Sequence, residues 1–401
     1  MKTSDFSFDL PEELIAKYPP PERGCSRLMI LDRRTGHRRH RMVADLPELL
    51  AGPDFRSPGG EAPLLVFNNS RVRKARLMAR QKTVAVAGQK TAGNSTSGKT
   101  EFLLINRVDS HTWRVMVNRA KRRRPDQRYC FAGDLEGEIV EAPADVPEKD
   151  KTEEFRYLRF DSPIDDDWLD IHGHIPLPPY IKRDDEESDG ERYQTIYADR
   201  MAGTGLGPGA SAAAPTAGLH FSEGILARLL AAGIERVFIT LHVGLGTFLP
   251  VRAEHIENHV MHEEVYSIGE DAARRINTAK AAGRKIICVG TTSVRTLESA
   301  CKEYPFVQVG EGITSIFIYP GYRFKLTDAL FTNFHTPGST LLMLAAAFTE
   351  ANTTAFAPSP FTLSPPVPRG GKGLRLILES YAEAVREGYR FFSYGDAMLI
   401  W

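Results

Sequence analysis

Three histidines stand in segments rich in small or hydroxyl-bearing residues, where a ligand could reach an imidazole ring. His220 ends the run AAPTAGLH just before a predicted helix, His242 follows a predicted buried strand, and His335 lies in the polar cluster TNFHTPGST. Histidine exchanges protons near neutral pH, so each ring could serve as an acid or a base. Each histidine also has a structural explanation. His220 could lie in an ordinary surface loop, His242 could be a structural residue of the core, and His335 could satisfy the hydrogen bonds of its own loop.

A strand-to-helix junction gives the strongest local pattern. In IICVGTTSVRTLES, a buried strand and Gly290 precede a helix that carries Arg295. The hydroxyl residues at the start of this helix are Thr291, Thr292 and Ser293. A helix start offers free N–H groups, and an arginine can bind a carboxylate through two hydrogen bonds. The junction therefore predicts a site for a carboxylate or a ribose. Capping by Thr292 or Ser293, with Arg295 and Glu298 as a surface ion pair, is the structural alternative.

Other motifs give weaker signals. The Gly244-x-Gly246 pair follows a strand but leads into Leu-Pro instead of the helix that a phosphate-binding glycine loop needs, and no strand precedes the glycines of 203–209. His255, His259 and His262 have helical spacing, which would place the first two on one face. Their order is not that of a zinc motif, so we expect a polar helix face or a substrate contact and no metal.

Two basic runs fall in one stretch of the chain. Their members are Arg71, Arg73, Lys74 and Arg76, followed by Lys121, Arg122, Arg123 and Arg124. Lys and Arg together number 51, as do Asp and Glu, so the net charge is zero. Whole-chain attraction to nucleic acid is not expected, and an RNA contact must rely on a local patch. The two runs are the candidates for phosphate contact, although such a run is more often a solvated face.

The elements around these residues indicate an α/β fold with an inserted β domain. Residues 71–162 contain short segments of alternating apolar and polar residues, typical of a small antiparallel β domain. Later segments alternate buried strands with helices, among them a helix over 222–232 that Ser222 caps and Gly233 stops. We expect an α/β domain over 1–70 and 163–401, interrupted by the β domain over 71–162.

The composition is that of a soluble globular protein, with 42% hydrophobic and 25% charged residues. Its four cysteines include no C-x-x-C pair, so neither a zinc cage nor a disulfide framework is indicated. The first residues contain no apolar core of a signal peptide, and no run approaches the length of a membrane span. These features predict a cytoplasmic protein, expected to be a monomer because no assembly signal is visible.

Taken together and in order, these segments resemble one family, the S-adenosylmethionine:tRNA ribosyltransferase-isomerases of queuosine biosynthesis. The resemblance runs through nearly the whole chain. It rests on FDLPEELIAKYPPPERGCSRLMILD, LLVFNNSRVRKARL, GHIPLPPYIKR, RYQTIYA, AAPTAGLHF, TLHVGLGTFLPV, IENHVMHEE, VGTTSVRTLES, TDALFTNFH and YRFFSYGDAMLI. Residues 51–62, 88–98, 200–211 and 351–373 look long for the family, and Thr336-Pro337-Gly338 stands where the family usually has Leu, Pro and another residue.

The resemblance implies an enzyme that acts on tRNA carrying 7-aminomethyl-7-deazaguanine at the wobble position, hence tRNA with a GUN-type anticodon. The ribosyl group of S-adenosylmethionine, the co-substrate, would be moved and isomerised to an epoxycyclopentane, giving epoxyqueuosine and releasing adenine and methionine. No metal is implied. The resemblance also implies an α/β barrel-like domain with an inserted small antiparallel β-barrel, in agreement with the domain pattern above.

Such a reaction needs a base to free the substrate ammonium or deprotonate beside the sulfonium, and a donor to protonate the departing adenine. We expect His220 and His242 to be the acid and base, with His335 third. Thr216, Thr291, Thr292, Ser293 and Arg295 would bind S-adenosylmethionine, with Arg295 on its carboxylate. Asn333 would contact a base edge, and Tyr394 and Asp396 would complete the pocket.

Three other functions fit the sequence less well. A methyltransferase would need the strand–glycine–helix motif that is missing. A non-catalytic RNA-binding module is weakened by the zero net charge and by the lack of any RNA-recognition motif. A paralogue that modifies another acceptor base is the alternative that the sequence excludes least.

Overall fold

The computed structural model describes residues 1–82, 99–144, 155–199, 211–244, 251–302, 305–350 and 371–401. The predicted loop 88–98, the glycines of 203–209, Gly246 and nearly all of 351–373 lie outside these ranges. The chain forms two compact units. The first comprises Met1–Arg71, Pro178–Asp184 and Gly190–Trp401, and the second comprises Val72–Leu177 and Asp185–Asp189.

Fifteen strands and eight helices are formed in the described ranges. The strands are β1 Arg27–Leu31, β2 Arg38–Met42, β3 Leu64–Asn68, β4 Arg76–Gln81, β5 Thr100–Arg107, β6 Thr112–Val117, β7 Arg128–Cys130, β8 Glu136–Val140, β9 Phe155–Phe160, β10 Glu235–Leu241, β11 Glu264–Ile268, β12 Ile286–Val289, β13 Gly310–Thr314, β14 Ala329–Asn333 and β15 Ala397–Ile400. The helices are α1 Leu46–Ala51, α2 Asp166–His172, α3 Asp189–Arg192, α4 Glu223–Ala231, α5 Glu270–Ala281, α6 Thr291–Ala300, α7 Thr340–Glu350 and α8 Lys372–Arg386.

The first unit is built on a nine-stranded mixed sheet in the order β13-β11-β10-β3-β12-β14-β15-β1-β2. Its central strands β10, β3, β12 and β14 run parallel. Strands β3, β12 and β14 are buried along their whole length, because hydrophobic side chains cover both faces of the sheet. The unit thus has the α/β class expected, here as a sheet with β13 and β2 at its edges.

The second unit contains a closed antiparallel barrel in the order β4-β5-β6-β9-β8-β7, and β7 pairs back with β4. Alternate residues of its strands point inward, and Phe102, Tyr129, Phe131 and Phe160 pack there edge to face or tilted. The small antiparallel β-barrel is therefore confirmed. This unit also takes in helix α2, which lies beyond residue 162.

The helix that was predicted from its capping residues is confirmed. Helix α4 begins after Ser222, whose Oγ accepts a hydrogen bond from the Ile225 N–H at 3.3 Å, and Gly233 follows it with a φ of 75°. Two predictions are wrong. Residues 255–262 form only a 3-10 turn at Ile256–Asn258 before β11. Helix α6 already begins at Thr291, after Gly290, so Thr292 and Ser293 lie inside it and do not cap it.

In the part of the chain that the structure describes, no helix combines the length and the hydrophobicity needed to cross a membrane.

Candidate functional site

The candidate site lies where the four central parallel strands of the first unit end. Strand β3 ends at Asn68, β14 ends at Asn333, β12 leads into Gly290, and β10 leads into His242. Open α/β sheets bind ligands at this edge, because loops and helix starts converge there. The Asn68 side chain ties two of the strands together, since its amide donates to the Leu241 carbonyl at 3.0 Å.

Asn333 is the centre of a buried hydrogen-bond network. Its Nδ2 lies 3.2 Å from the Phe392 carbonyl oxygen and 3.1 Å from His220 Nε2, and its Oδ1 accepts from the Thr216 hydroxyl at 3.1 Å. A carbonyl oxygen can only accept, so the Asn333 group facing Phe392 is the NH2 group. Nε2 of His220 must then be the acceptor, which places the proton of the neutral ring on Nδ1.

His220 is held neutral by its surroundings. The ring is 4% exposed, and burial lowers its pKa to about 3, with smaller contributions from the positive charges of Arg390 and Arg23. Gly218 lets the segment before it pass closely, because a Cβ there would lie 2.1 Å from the Tyr197 hydroxyl. The segment that carries Thr216 and His220 is thus fixed against the end of β14.

The SYGD turn near the C-terminus positions this network. Phe392 has a left-handed backbone with a φ of 72°, an unfavourable conformation for a side chain of its size. The Asp396 carboxylate stabilises the turn by accepting from the N–H groups of Arg390 and Arg27 at 2.8 and 2.9 Å. Burial raises the pKa of Asp396. Tyr394 is buried, and its carbonyl accepts from Arg390 at 2.7 Å.

The start of helix α6 offers unused polar groups beside the network. Gly290 has a φ of 89°, and a Cβ on it would stand 3.6 Å from Ala217, so the helix start adjoins the Thr216 segment. The Ser293 hydroxyl donates back to the Val289 carbonyl at 2.8 Å. The Thr292 hydroxyl is buried, and it has no hydrogen-bond partner in the described ranges. Thr291 is also buried at this point.

Arg295 is neutralised from within the protein. Its Nη1 pairs with the buried Glu264 carboxylate, and its Nε donates to the Ile316 carbonyl at 3.3 Å. Only Nη2 has no hydrogen-bond partner among the residues described. The surface pair considered for Arg295 and Glu298 is wrong. Both residues are buried, and Glu298 accepts from backbone N–H groups of the segment after 324.

The other two histidines occupy different surroundings. His335 is buried, and its ring Nε2 lies 2.9 Å from the Thr332 hydroxyl. Its backbone N–H donates to the Tyr381 hydroxyl at 3.0 Å. Burial lowers the pKa of His335 to about 3. His242 is half-buried just beyond β10, where its backbone N–H donates to the Val265 carbonyl at 3.0 Å.

The first basic run is largely engaged with acidic residues or carbonyls. Arg71 belongs to the first unit and is half-buried. In the second unit, Arg73 pairs with Asp166 at 2.7 Å, and Lys74 donates to the Asp170 carbonyl at 2.8 Å. Arg76 pairs with two carboxylates, those of Glu101 at 3.0 Å and Asp185 at 3.3 Å.

The second basic run forms a preorganised turn of the barrel unit. Lys121, Arg122 and Arg124 are exposed, while Arg123 is half-buried and lies 3.3 Å from the Tyr129 hydroxyl. The Arg156 guanidinium holds the turn by donating to the carbonyls of Ala120 and Arg123 at 2.7 and 2.9 Å. The turn therefore carries three cationic side chains that are exposed to solvent, and the Arg73 and Arg76 side chains of the first run pair with carboxylates.

Three residues of the site were not identified from the sequence. Asn68 gives a signal that could have been used, because it is a polar residue directly after a buried strand. Arg23 and Arg390, which act on His220 through their charge, give none. The described ranges contain no group of three or more His, Cys, Asp or Glu side chains arranged to hold a metal ion.

Comparisons with known proteins agree over the full length. A family model described as "Queuosine biosynthesis protein" matches residues 3–357 and 371–400. The chain is 46% identical over 404 residues to the S-adenosylmethionine:tRNA ribosyltransferase-isomerase of Treponema denticola and 43% identical over 401 residues to that of Clostridioides difficile, with 100% of each chain covered. A crystal structure of S-adenosylmethionine tRNA ribosyltransferase from Thermotoga maritima is 31% identical, with 99% of this chain and 100% of that chain covered and a TM-score of 0.49.

Proposed function

The chain belongs to the queuosine biosynthesis protein family, and on this premise we propose that it is an S-adenosylmethionine:tRNA ribosyltransferase-isomerase. It transfers and isomerises the ribosyl group of S-adenosylmethionine onto 7-aminomethyl-7-deazaguanine in tRNA, giving epoxyqueuosine and releasing adenine and methionine. The observation that carries this function is the 46% identity over the entire length to a relative of that name. From the sequence we further propose that the acceptor base is at the wobble position of GUN-type tRNA. We also propose that the protein is a cytoplasmic monomer.

We assign His220 the role of a neutral hydrogen-bond donor. With its pKa near 3, the ring is not an imidazolium at neutral pH, and its proton lies on Nδ1. A neutral imidazole N–H can stabilise charge that develops on a leaving group. We therefore propose that His220 donates to the departing adenine. Asn333 is then a positioning residue, because both of its N–H groups are used by Phe392 and His220 and neither is left for a base edge.

His242 is our candidate for the base. It lies at the end of the sheet where open α/β folds usually bind ligands, and it is less buried than His220 or His335. It would accept a proton from the substrate ammonium or from the carbon next to the sulfonium. His335 is a positioning candidate, because its ring faces the Thr332 hydroxyl and its backbone is fixed to Tyr381.

The start of helix α6 is our candidate for S-adenosylmethionine binding. Free N–H groups at a helix start attract carboxylate and hydroxyl oxygens. The buried Thr292 hydroxyl, which has no partner in the described ranges, supports a polar ligand there. Thr216, Thr291 and Ser293 would frame this position. Arg295 could contribute only through Nη2, because Glu264 already neutralises its charge.

The direct test is to incubate the protein with S-adenosylmethionine and tRNA bearing 7-aminomethyl-7-deazaguanine, and to quantify adenine, methionine and S-adenosylhomocysteine. Equal amounts of adenine and methionine, with a matching increase in tRNA mass, are expected. S-adenosylhomocysteine would instead identify a methyltransferase. Binding of the tRNA without turnover would indicate a binding module or another acceptor base.

Two variants test the assignments within the site. His220→Ala and His242→Ala should each lower kcat by about 10²-fold or more, the usual contribution of a proton-transfer group. Turnover close to that of the wild type at saturating substrates would rule out the role of the residue concerned.

We also propose that the barrel turn Lys121 to Arg124 contacts tRNA phosphates, because it presents three exposed cations. Replacing Lys121, Arg122 and Arg124 by Gln should weaken tRNA binding and flatten its salt dependence. An unchanged slope would show that the turn does not touch the RNA.

A further inference from the structure

Three arginines of the first unit have guanidinium groups that donate to backbone carbonyls. They are Arg23, Arg192 and Arg390, all half-buried. Their acceptors lie at 2.6 to 3.5 Å and are the carbonyls of Leu219, Glu191 and Gln194 for Arg23, of Pro20 and Pro21 for Arg192, and of Tyr18 and Tyr394 for Arg390. None of the three forms an ion pair in the ranges that the structure describes. We call these three residues the arginine surface.

The arginine surface retains its positive charge. A carbonyl accepts a hydrogen bond but carries no net charge, so these contacts hold the guanidiniums in place without neutralising them. The pKa of Arg23 is lowered by burial first and by repulsion from Arg192 second, and the attraction of Glu191 is weaker than that repulsion. The field reaches the candidate site, because Arg390 and Arg23 both contribute to the low pKa of His220.

Donor groups remain on the arginine surface for a ligand. A guanidinium has five N–H donors. Arg192 and Arg390 each make two hydrogen bonds to carbonyls, and Arg23 makes three. Arg23 and Arg192 lie near enough to repel each other more strongly than Glu191 attracts Arg23, and Arg23 and Arg390 both act on His220, so the local excess of positive charge favours binding of an anion. The ligand that this surface fits is therefore negatively charged.

We propose that the arginine surface binds backbone phosphates of the tRNA beside the nucleotide that enters the site. This inference rests on the proposed function and adds an RNA contact separate from the barrel turn. The carboxylate of S-adenosylmethionine carries one charge and could neutralise only one of the three guanidiniums. An RNA strand supplies one charge per nucleotide and could reach several.

An aromatic ring beside the arginine surface supports the choice of RNA. Tyr18 is 51% exposed, and the Arg183 guanidinium carbon lies 4.3 Å from its ring centroid. Its backbone carbonyl is the one that accepts from Arg390. Exposed aromatic rings next to cations are the usual platform for the bases of single-stranded RNA. Phosphates on the arginines would bring a neighbouring base to Tyr18.

The test compares Arg192→Gln and Arg390→Gln with Arg56→Gln. Arg56 is the matched control, because its hydrogen bonds within the described ranges also go to carbonyls, those of Ala51 and Gly60, in the loop before β3 begins. The Kd for tRNA bearing 7-aminomethyl-7-deazaguanine is measured at several salt concentrations, and the KM for S-adenosylmethionine is measured alongside. Each of the first two variants should lower the slope of log Kd against log salt by about 0.7 to 0.9 per lost phosphate contact. Arg56→Gln should leave the slope unchanged.

A charge-conserving variant separates phosphate binding from support of the backbone. Arg192→Lys keeps the charge but cannot donate to Pro20 and Pro21 with the fork of a guanidinium. It should retain the wild-type salt slope, even if its melting temperature falls with that of Arg192→Gln. Loss of the slope in Arg192→Lys to the same extent as in Arg192→Gln would overturn the proposal.

Two further outcomes would also overturn it. One is an unchanged slope in both Gln variants, and the other is a raised KM for S-adenosylmethionine with normal tRNA binding, which would assign the surface to the co-substrate carboxylate. Failure of the wild-type protein to release adenine, with the slope still reduced in the variants, would refute the proposed function and leave the RNA surface in place.

Discussion

Acid should destabilise this protein through two buried histidines. His220 and His335 are neutral in the folded chain, and burial lowers the pKa of each from 6.5 to about 3. Between these values the unfolded chain binds a proton at each histidine that the folded chain does not bind. The free energy of unfolding therefore falls as the pH falls, by roughly 1.4 kcal/mol per pH unit for each group.

The size of the effect follows from the pH interval. Going from pH 6.5 to about pH 5 should cost about 2 kcal/mol per histidine and about 4 kcal/mol for both. Neither value needs a reduction for solvent screening, because His220 is 4% and His335 is 8% exposed. This loss is a large part of the 5–15 kcal/mol that is typical of a folded domain.

Urea denaturation of wild type, His220→Gln and His335→Gln at both pH values measures the effect. Glutamine binds no proton, so each variant should lose about 2 kcal/mol less than wild type between the two pH values, whatever its stability at pH 6.5. His37→Gln, at an exposed turn position, is the control and should show the wild-type loss. A loss in His220→Gln equal to that of wild type would refute the neutral His220 on which its role as a donor depends.

Three further predictions concern the supports of the site. Glu264→Gln leaves Arg295 buried without a counter-charge and should lower the free energy of unfolding by about 3 to 5 kcal/mol, measured by urea denaturation. Ser222→Ala removes the cap of helix α4 and should cost about 1 kcal/mol with kcat unchanged. Asn333→Ala frees the ring of His220 and should lower kcat by up to about 10²-fold while the KM for tRNA stays the same; an unchanged kcat would contradict the positioning role.

The sequence predicts those parts of the fold that local interactions determine. The Ser222 cap and the glycine at 233 act within a few residues of the helix they bound, and both ends of α4 were predicted. Strands β5, β6 and β9 of the barrel were predicted from their alternation, because one face of each is buried.

Residues 255–262 show where local spacing fails. Helical spacing of three histidines predicted a helix, yet the backbone there bonds to the start of the chain. The Ile256 N–H donates to the Met1 carbonyl at 3.0 Å, and the Thr3 N–H donates to the Glu254 carbonyl at 2.9 Å. Hydrogen bonds to a segment about 250 residues away replace those that a helix would make, and no pattern within the segment reports them.

The segments of the candidate site could also be predicted from the sequence, whereas the roles of single residues could not. The segments that carry His220, Thr292 and Asn333 were identified as chemically capable, and the structure places them at the same edge of the sheet. Their individual roles depend on distant partners. Arg295 has the form of a ligand-binding arginine in the sequence, but Glu264 on another strand neutralises it. Asn333 has the form of a base-reading amide, but the left-handed backbone at Phe392 directs a carbonyl at it.

The positive surroundings of His220 give the proposed reaction a consistent electrostatic design. The charges of Arg23 and Arg390 help to keep the imidazole neutral. By the same repulsion, they would lower the pKa of a substrate ammonium beside the ring and so favour the free amine that must act as the nucleophile. They would also stabilise negative charge on the departing adenine, to which the neutral Nδ1–H donates. A carboxylate in an ion pair with either arginine would weaken both effects, which gives a physical reason why the hydrogen bonds of both guanidiniums in the described ranges go to carbonyls.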